Sequence, residues 1–398
     1  MVDDMKFRIQ LLLIGLVLFQ NIIGFGQNKS AYNLSDSAQI SLLTCSAGEE
    51  LYSIFGHSAI RVKDPSINLD LVFNYGTFDF SDPNFYPNFV KGHLNYILSV
   101  SRYINFEMAY SYENRSIYEQ KLNLNTQEKQ FLLDSLIVNY KPENRYYLYD
   151  FFYDNCATRI RNIFMEAIPR EIAFDYSSFE KNKSFRELLM PNLEYMPWAK
   201  LGINLLLGLP ADKKASPWEY QFLPEHLDKA FQHAYFKNGP DSIPFAQKPQ
   251  LILGREEPKH SFCWWAPQYL FILLLLVTIA ISYFDFRNGI KNFWFDRILF
   301  ISAGLLGALF TFLWVGTAHR AMVWNFNLLW ANPFHILLIL FISSKRLKKW
   351  VKLYLKANLF ILLVLLITWP FLPQTLPIVV YPCVLALSLR MFMYSRYY

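Results

Sequence analysis

From residue 262 onward the chain is dominated by apolar residues, and that stretch limits the available folds more than any other. Five runs, at roughly 264–283, 294–316, 327–343, 353–371 and 376–394, approach the ~20 residues a helix needs to cross a bilayer. The last two are separated only around Pro370, Pro373 and Pro377, which predicts a tight turn. Positive charge collects in alternate loops: Arg287 and Lys291, then Lys345, Arg346, Lys348, Lys349 and Lys352, then Arg396. The loops after the second and fourth runs hold only Arg320. The positive-inside rule therefore predicts that 284–292, 344–352 and the C-terminus lie in the cytoplasm. Everything from the start of the soluble part to residue 261 then lies outside.

The N-terminus agrees with that topology. Lys6 and Arg8 precede an apolar stretch from Ile9 to Phe25, and small residues follow at Gly24 and Gly26. This is the order of a secretory signal, with cleavage expected near Gly26–Gln27. Leu42-Leu43-Thr44-Cys45 has the look of a lipidation box, but polar residues 27–39 separate it from the signal core. The expected layout is thus a signal over 1–26, a periplasmic domain over 27–236, a Pro-rich linker over 237–261 and an all-α, five-helix transmembrane domain over 262–398. A net charge of +6 carries no nucleic-acid signal, because the basic residues sit in the short loops that set topology. Four cysteines without paired spacing predict neither a disulfide scaffold nor a metal site.

Within the soluble part, Ala38 to Cys45 reads as a strand. A second strand begins near Gly56 in FGHSAIRVK and turns at Asp64-Pro65-Ser66 into a third, Leu69 to Gly76. Residues 126–140 have helical spacing. An aromatic run, YYLYDFFYDNC, then ends at Asp154-Asn155, which are N-cap types, and the sequence after Cys156 is helical. Cys156 is therefore expected at a helix N-terminus, where the dipole and free N–H groups lower a thiol pKa and can form an oxyanion hole. His57, after Gly56 at a strand start, is the natural general base for it. The plainer reading of the same residues is a buried cysteine and a core histidine.

The phrases GHSAIRV (56–62), FNYGTFDF (73–80), NFVKGHLNYIL (88–98), YDFFYDNCATRIR (149–161) and the stretch from Thr317 to Pro333 resemble the Lnb-type bacterial lipoprotein N-acyltransferase family. The resemblance runs from about Gln39 to the last apolar run. It implies an α+β periplasmic domain with a circularly permuted papain-like fold, as in the NlpC and lecithin:retinol acyltransferase relatives, followed by five membrane helices. It also implies His57 as base and Cys156 as nucleophile. The implied reaction passes an acyl chain from a membrane phospholipid, through a Cys156 thioester, to the N-terminal cysteine amine of a diacylglyceryl lipoprotein. No metal or cofactor is implied.

The third catalytic residue stays open. Asn74 and Tyr75 lie on the strand expected beside His57, Asp79 and Asp154 are alternatives, and Asn155 is a further candidate beside Cys156. Arg61, Tyr75, His319, Arg320, Asn325 and Asn327 are candidates for lipid contact, since polar groups at a membrane-helix mouth either line a site or bond neighbouring helices. The short run Leu201 to Leu209 is either an interfacial segment or a core element. Two other functions fit the same residues. One is a membrane-anchored cysteine amidase or peptidase of the cell envelope. The other is a non-enzymatic binding protein with a Cys45–Cys156 bridge.

Overall fold

The computed structural model describes residues 32–78, 82–237, 242–255, 263–289, 294–341 and 346–397. The expected signal, Asp79 and His260 lie outside the described residues.

The chain first builds an antiparallel sheet of seven strands in the order β10-β5-β1-β2-β3-β4-β6. These are β1 (Gln39–Cys45), β2 (His57–Asp64), β3 (Leu69–Thr77), β4 (Asn95–Arg102), β5 (Ile117–Lys121), β6 (Tyr146–Leu148) and β10 (Gln250–Leu253). A small sheet of β7 (Ile172–Phe174), β8 (Ala234–Phe236) and β9 (Ile243–Pro244) lies apart. The turn between β2 and β3 closes as expected. Asp64 caps Pro65–Ile67 by accepting from the Ser66 N–H, and Asn68 takes the left-handed conformation at φ 50.

Helices cover both faces of the central sheet. On one face, α3 (Thr126–Tyr140) and α4 (Cys156–Ala167) bury Leu132, Leu136, Ile160 and Phe164 against Ile40, Leu42, Ile60 and Phe73. On the other, Phe106 of α2 (Tyr103–Tyr112) packs with Leu43, Cys45, Ala59 and Val72. Being covered on both sides leaves β1 buried along most of its length, Ser41 included. The segment expected as a linker is partly strand: β9 and β10 fall within it, and β10 adds an edge to the main sheet beside β5. Of its described prolines, Pro244 ends β9 and Pro249 precedes β10, where no ladder N–H is required.

Among the described residues of the apolar half, four segments are long and apolar enough to cross a membrane: Pro267–Asn288, Trp294–Val315, Lys348–Phe371 and Ile378–Arg396. The third expected run is not one continuous helix among the described residues. It is a 3₁₀ turn, Phe326–Leu329, an irregular stretch, and a short helix, His335–Phe341. Pro333 and the demands of close packing account for the break. A Cβ on Gly307 would collide with the Ala331 carbonyl and one on Gly304 would meet Ile336, so the neighbouring helix presents bare backbone to it. The His335 ring donates to the Trp330 carbonyl and accepts from the Tyr354 hydroxyl, which satisfies polar groups that the break exposes.

The remaining helices are α1 (Phe85–Lys91), α5 (Phe185–Leu189), α6 (Pro197–Leu206), α7 (Pro217–Tyr220), α8 (Pro224–Gln232), α9 (Pro267–Asn288), α10 (Trp294–Val315), α11 (His335–Phe341), α12 (Lys348–Thr368) and α13 (Tyr381–Tyr397). The short apolar run in 201–209 falls largely in α6, which is a core element, but of the membrane half. Leu201 and Leu205 pack with Phe300, Trp330 and Leu362.

Candidate active site

Local backbone geometry sets the site. Gly56 has φ 74, and a Cβ there would lie 2.7 Å from the Cys45 carbonyl oxygen, so only glycine delivers the chain into His57. β2 and β3 are in register at Ile60↔Phe73 but splay toward His57, and β3 is irregular between Asn74 and Thr77. In that opening the His57 Nε2–H donates to Asn74 Oδ1 at 3.4 Å. An amide oxygen held there favours the tautomer protonated on Nε2, which leaves the lone pair on Nδ1.

Cys156 is the first residue of α4, as expected. Asn155 caps the helix: its Oδ1 accepts from the Thr158 N–H, and the Thr158 hydroxyl accepts from the Asn155 N–H. The Asn155 amide donates to the carbonyls of Phe151 and Phe222, each at 2.8 Å. Asn155 therefore has its polar groups engaged in holding the helix start. The backbone N–H groups of Ser58, Ala157 and Cys156 reach the Cys156 sulfur and favour the thiolate. Burial outweighs them, and the net pKa shift is upward. The thiolate expected from position alone is thus not the resting state, because a helix end favours an anion only where desolvation does not exceed it.

The same burial acts on the imidazole. His57 is lowered to about 4, first by desolvation and then by the Arg115 charge, with the Asn74 hydrogen bond opposing. Resting site chemistry is a neutral thiol beside a neutral ring. Among the described residues no hydrogen bond joins the His57 ring to the Cys156 sulfur. Their link is Ser58, the residue after His57, whose N–H reaches that sulfur.

Other candidates separate clearly. Tyr75 faces the core, and its hydroxyl accepts from Asn139 Nδ2 at 2.9 Å. Asp154 is held by Arg159 through bonds of 2.6 and 2.7 Å. Arg61 grips Asp70 at 2.7 Å and Glu119 at 3.2 Å, with its guanidinium over the Tyr103 ring. Those partners leave Arg61 a structural position. Asn325 and Asn327 are buried, not open to a headgroup. Their side-chain amides donate to the Leu205 carbonyl at 2.7 and 3.1 Å, and Gln374 donates to the Leu207 carbonyl at 3.1 Å. These are carbonyls at the end of α6 that the helix itself cannot satisfy. His319 donates to the Phe89 carbonyl at 3.1 Å, whereas Arg320 beside it is exposed.

Cys45 and Cys156 are both free thiols. They lie in the cores on opposite faces of the sheet, Cys45 with Leu43 and Ala59, Cys156 with Ile60 and Tyr75. That arrangement disfavours the bridged, non-enzymatic reading.

Three features escaped sequence reasoning. Arg115 is buried, with Nε bonded to the Ser46 carbonyl at 2.9 Å, Nη1 to Glu113 at 2.9 Å, and a buried Nη2 without a partner. It charges the site from a loop with no motif. Gly76, φ 90, faces Cys156: a Cβ there would lie 3.5 Å from the cysteine Cβ, 3.8 Å from the Tyr147 hydroxyl and 3.9 Å from the Tyr149 ring. Period-two alternation in YYLY would have put Tyr147 and Tyr149 on one face.

Comparison with known proteins adds two matches. Residues 27–188, which hold His57, Asn74 and Cys156, match a family model described as the Lnb N-terminal periplasmic domain. Residues 257–398 match one described as the Lnb transmembrane domain. No curated protein and no solved structure matches.

Proposed function

This chain belongs to the Lnb family, and on that premise we propose that it is a lipoprotein N-acyltransferase that carries its acyl group as a thioester on Cys156. Its family domains, with helices long and apolar enough to cross a bilayer, support an inner-membrane protein with a periplasmic domain. The observation that carries the reading is the capped start of α4, where N–H groups converge on a thiol next to the His57–Asn74 pair.

The chemistry proceeds in two halves. His57 Nδ1 takes the Cys156 thiol proton as the sulfur attacks an ester carbonyl of a membrane phospholipid. The tetrahedral intermediate collapses with return of that proton to the leaving alcohol, releasing the lysolipid and leaving a thioester. The free α-amine of a diacylglyceryl lipoprotein cysteine then attacks the thioester. His57 accepts the amine proton, and the thiol is restored as the amide forms. Because thiol and ring are both neutral at rest, proton transfer is coupled to attack, and the contact between them tightens in the substrate complex. Helix-start N–H groups favour the oxyanion.

The loops after α10 and α12 bond to the soluble domain: Gly208 N–H donates to the Ala321 carbonyl at 2.8 Å, and Thr375 N–H to Asp212 at 3.1 Å. With both loops on the side of the soluble domain, residues 346–352 and the C-terminus fall in the cytoplasm, and the broken run 326–341 makes the crossing between α10 and α12.

The test uses full-length protein in vesicles with a diacylglyceryl lipopeptide and phospholipid carrying isotope-labelled acyl chains. Mass spectrometry then reads the N-terminal cysteine. Labelled N-acyl product with wild type and none with Cys156→Ala is the expected result. Unlabelled N-acyl product would make the acceptor's own esters the donor. Peptide cleavage without N-acylation would instead establish the amidase reading.

A further inference from the structure

The helix α1 packs against the loop that follows α10. The Ala318 N–H donates to the Lys91 carbonyl at 2.8 Å, and the His319 ring to the Phe89 carbonyl. Gly92, φ 72, closes so tightly on this loop that a Cβ would lie 3.2 Å from the His319 nitrogen. Since α10 ends at Val315, α1 is pinned at the mouth of a spanning helix, at headgroup level. There it exposes Tyr86 by 70%, Phe89 by 51% and Val90 by 45%. Aromatic and aliphatic side chains exposed together at this depth fit the boundary of a bilayer leaflet.

A line of rings runs inward from this helix. Phe89 stacks on Phe85 at 6.2 Å, and Phe85 meets Phe78 at 5.6 Å. Phe78 meets Tyr96 at 5.3 Å, and Tyr96 stacks on Tyr149 at 4.2 Å. Tyr149 borders Gly76, which faces Cys156 with no side chain of its own. Tyr96 and Tyr149 are only half-buried, so each keeps ring surface for another apolar group. Ring faces and edges of this kind pack well against methylenes and ask for no hydrogen bond in return.

We propose that this aromatic line is the acyl-chain site and its entry from the bilayer. A lipid in the leaflet beside α1 lays its chain along Phe78, Tyr96 and Tyr149 and so brings its ester carbonyl to Cys156. The inference rests on the acyltransferase reading but is tested by a readout that does not need turnover.

Full-length Cys156→Ala protein is placed in phosphatidylglycerol vesicles containing a phosphatidylglycerol with a photoactivatable diazirine in its acyl chain. After irradiation, labelled peptides are mapped. Label on the peptides holding Phe78, Tyr96 or Tyr149, reduced at least fivefold by Phe89→Asp and kept by Phe89→Leu, is the expected result. Label confined to the membrane helices overturns the entry path. Label on those peptides in a protein whose wild type forms no thioester keeps the chain site and sinks the Cys156 chemistry instead. As a second measure, Phe89→Asp slows Cys156 acylation by vesicle lipid at least fivefold more than it slows acylation by p-nitrophenyl acetate. Equal loss with both esters makes α1 a folding element only and overturns the proposal.

Discussion

Gly76 and Cys156 face each other across the splayed end of β3, and a methyl group on the glycine would stand 3.5 Å from the cysteine Cβ. The position combines a positive φ with the loss of free space in front of the nucleophile. Gly76→Ala is therefore expected to cost about 1–3 kcal/mol of stability through backbone strain. Gly76→Val should add a block of long-chain acylation. Thermal unfolding and acyl-thioester mass spectrometry check the two effects separately, and a Gly76→Val protein that acylates normally would remove the glycine from the site.

The pH dependence follows from His57. In the proposed mechanism its neutral form is the base, and burial with the Arg115 charge lowers its pKa to about 4. Acylation of Cys156 by a soluble ester should thus persist through pH 5–6, where an ordinary histidine is protonated, and fall only near pH 4. Arg115→Gln removes a charge that disfavours the imidazolium, so its acid limb should move to higher pH. Arg115→Lys should leave the limb near its original place. An acid limb near 6.5 in the wild type would contradict the buried neutral ring.

Asn74 orients the ring and does not itself exchange protons in the proposed mechanism. Its bond to His57 is a neutral one, worth about 0.5–1.5 kcal/mol. Asn74→Ala should reduce acylation by roughly two- to tenfold, whereas loss of the base in His57→Ala should cost about 10²–10⁴. Single-turnover thioester formation measures both. Equal losses would promote Asn74 to a larger role.

Cys45 provides a control within the same domain. It lies in the core on the opposite face of the sheet from Cys156, and burial pushes its thiol up to about 12. Cys45→Ala should retain N-acylation, and Cys156→Ser should not. Loss of activity in Cys45→Ala without loss of fold would link the two thiols after all.

The junction with the membrane half is expected to matter for stability and not for chemistry. Asn325→Ala removes the 2.7 Å donor to the Leu205 carbonyl, leaving it only the Asn327 amide, and takes away the Oδ1 that accepts from the buried Asn327 N–H and from Gln374. Each unsatisfied buried group costs about 1–3 kcal/mol. The melting temperature in detergent should fall, while acylation by p-nitrophenyl acetate at low temperature should stay near wild type.

The residues that carry local backbone signals were legible in the sequence. Asn155 before Cys156, the Asp64-Pro65 turn and the β2–β3 pair follow from capping chemistry, proline geometry and alternation. Groups defined by distant neighbours were not. The thiol pKa depends on burial, which the helix position of Cys156 does not encode. Asn325 and Asn327 have the composition of a lipid-contact motif, yet their partners are carbonyls of α6 more than a hundred positions away. Arg115 acquires meaning only when β5 returns beside β1 at Cys45, opposite His57. The third apolar run had the hydropathy of a span, but hydropathy does not report where glycines on a neighbouring helix admit a break.

Because Leu201 and Leu205 of α6 are packed into the membrane half, and its last carbonyls are held by Asn325, Asn327 and Gln374, the catalytic domain does not hang from a slack tether. Its height above the bilayer is fixed. On the acyltransferase reading, a lipidated acceptor would have to span that height with the unfolded residues between its modified cysteine and its first folded element. Tether length would then be a ruler by which acceptors are sorted.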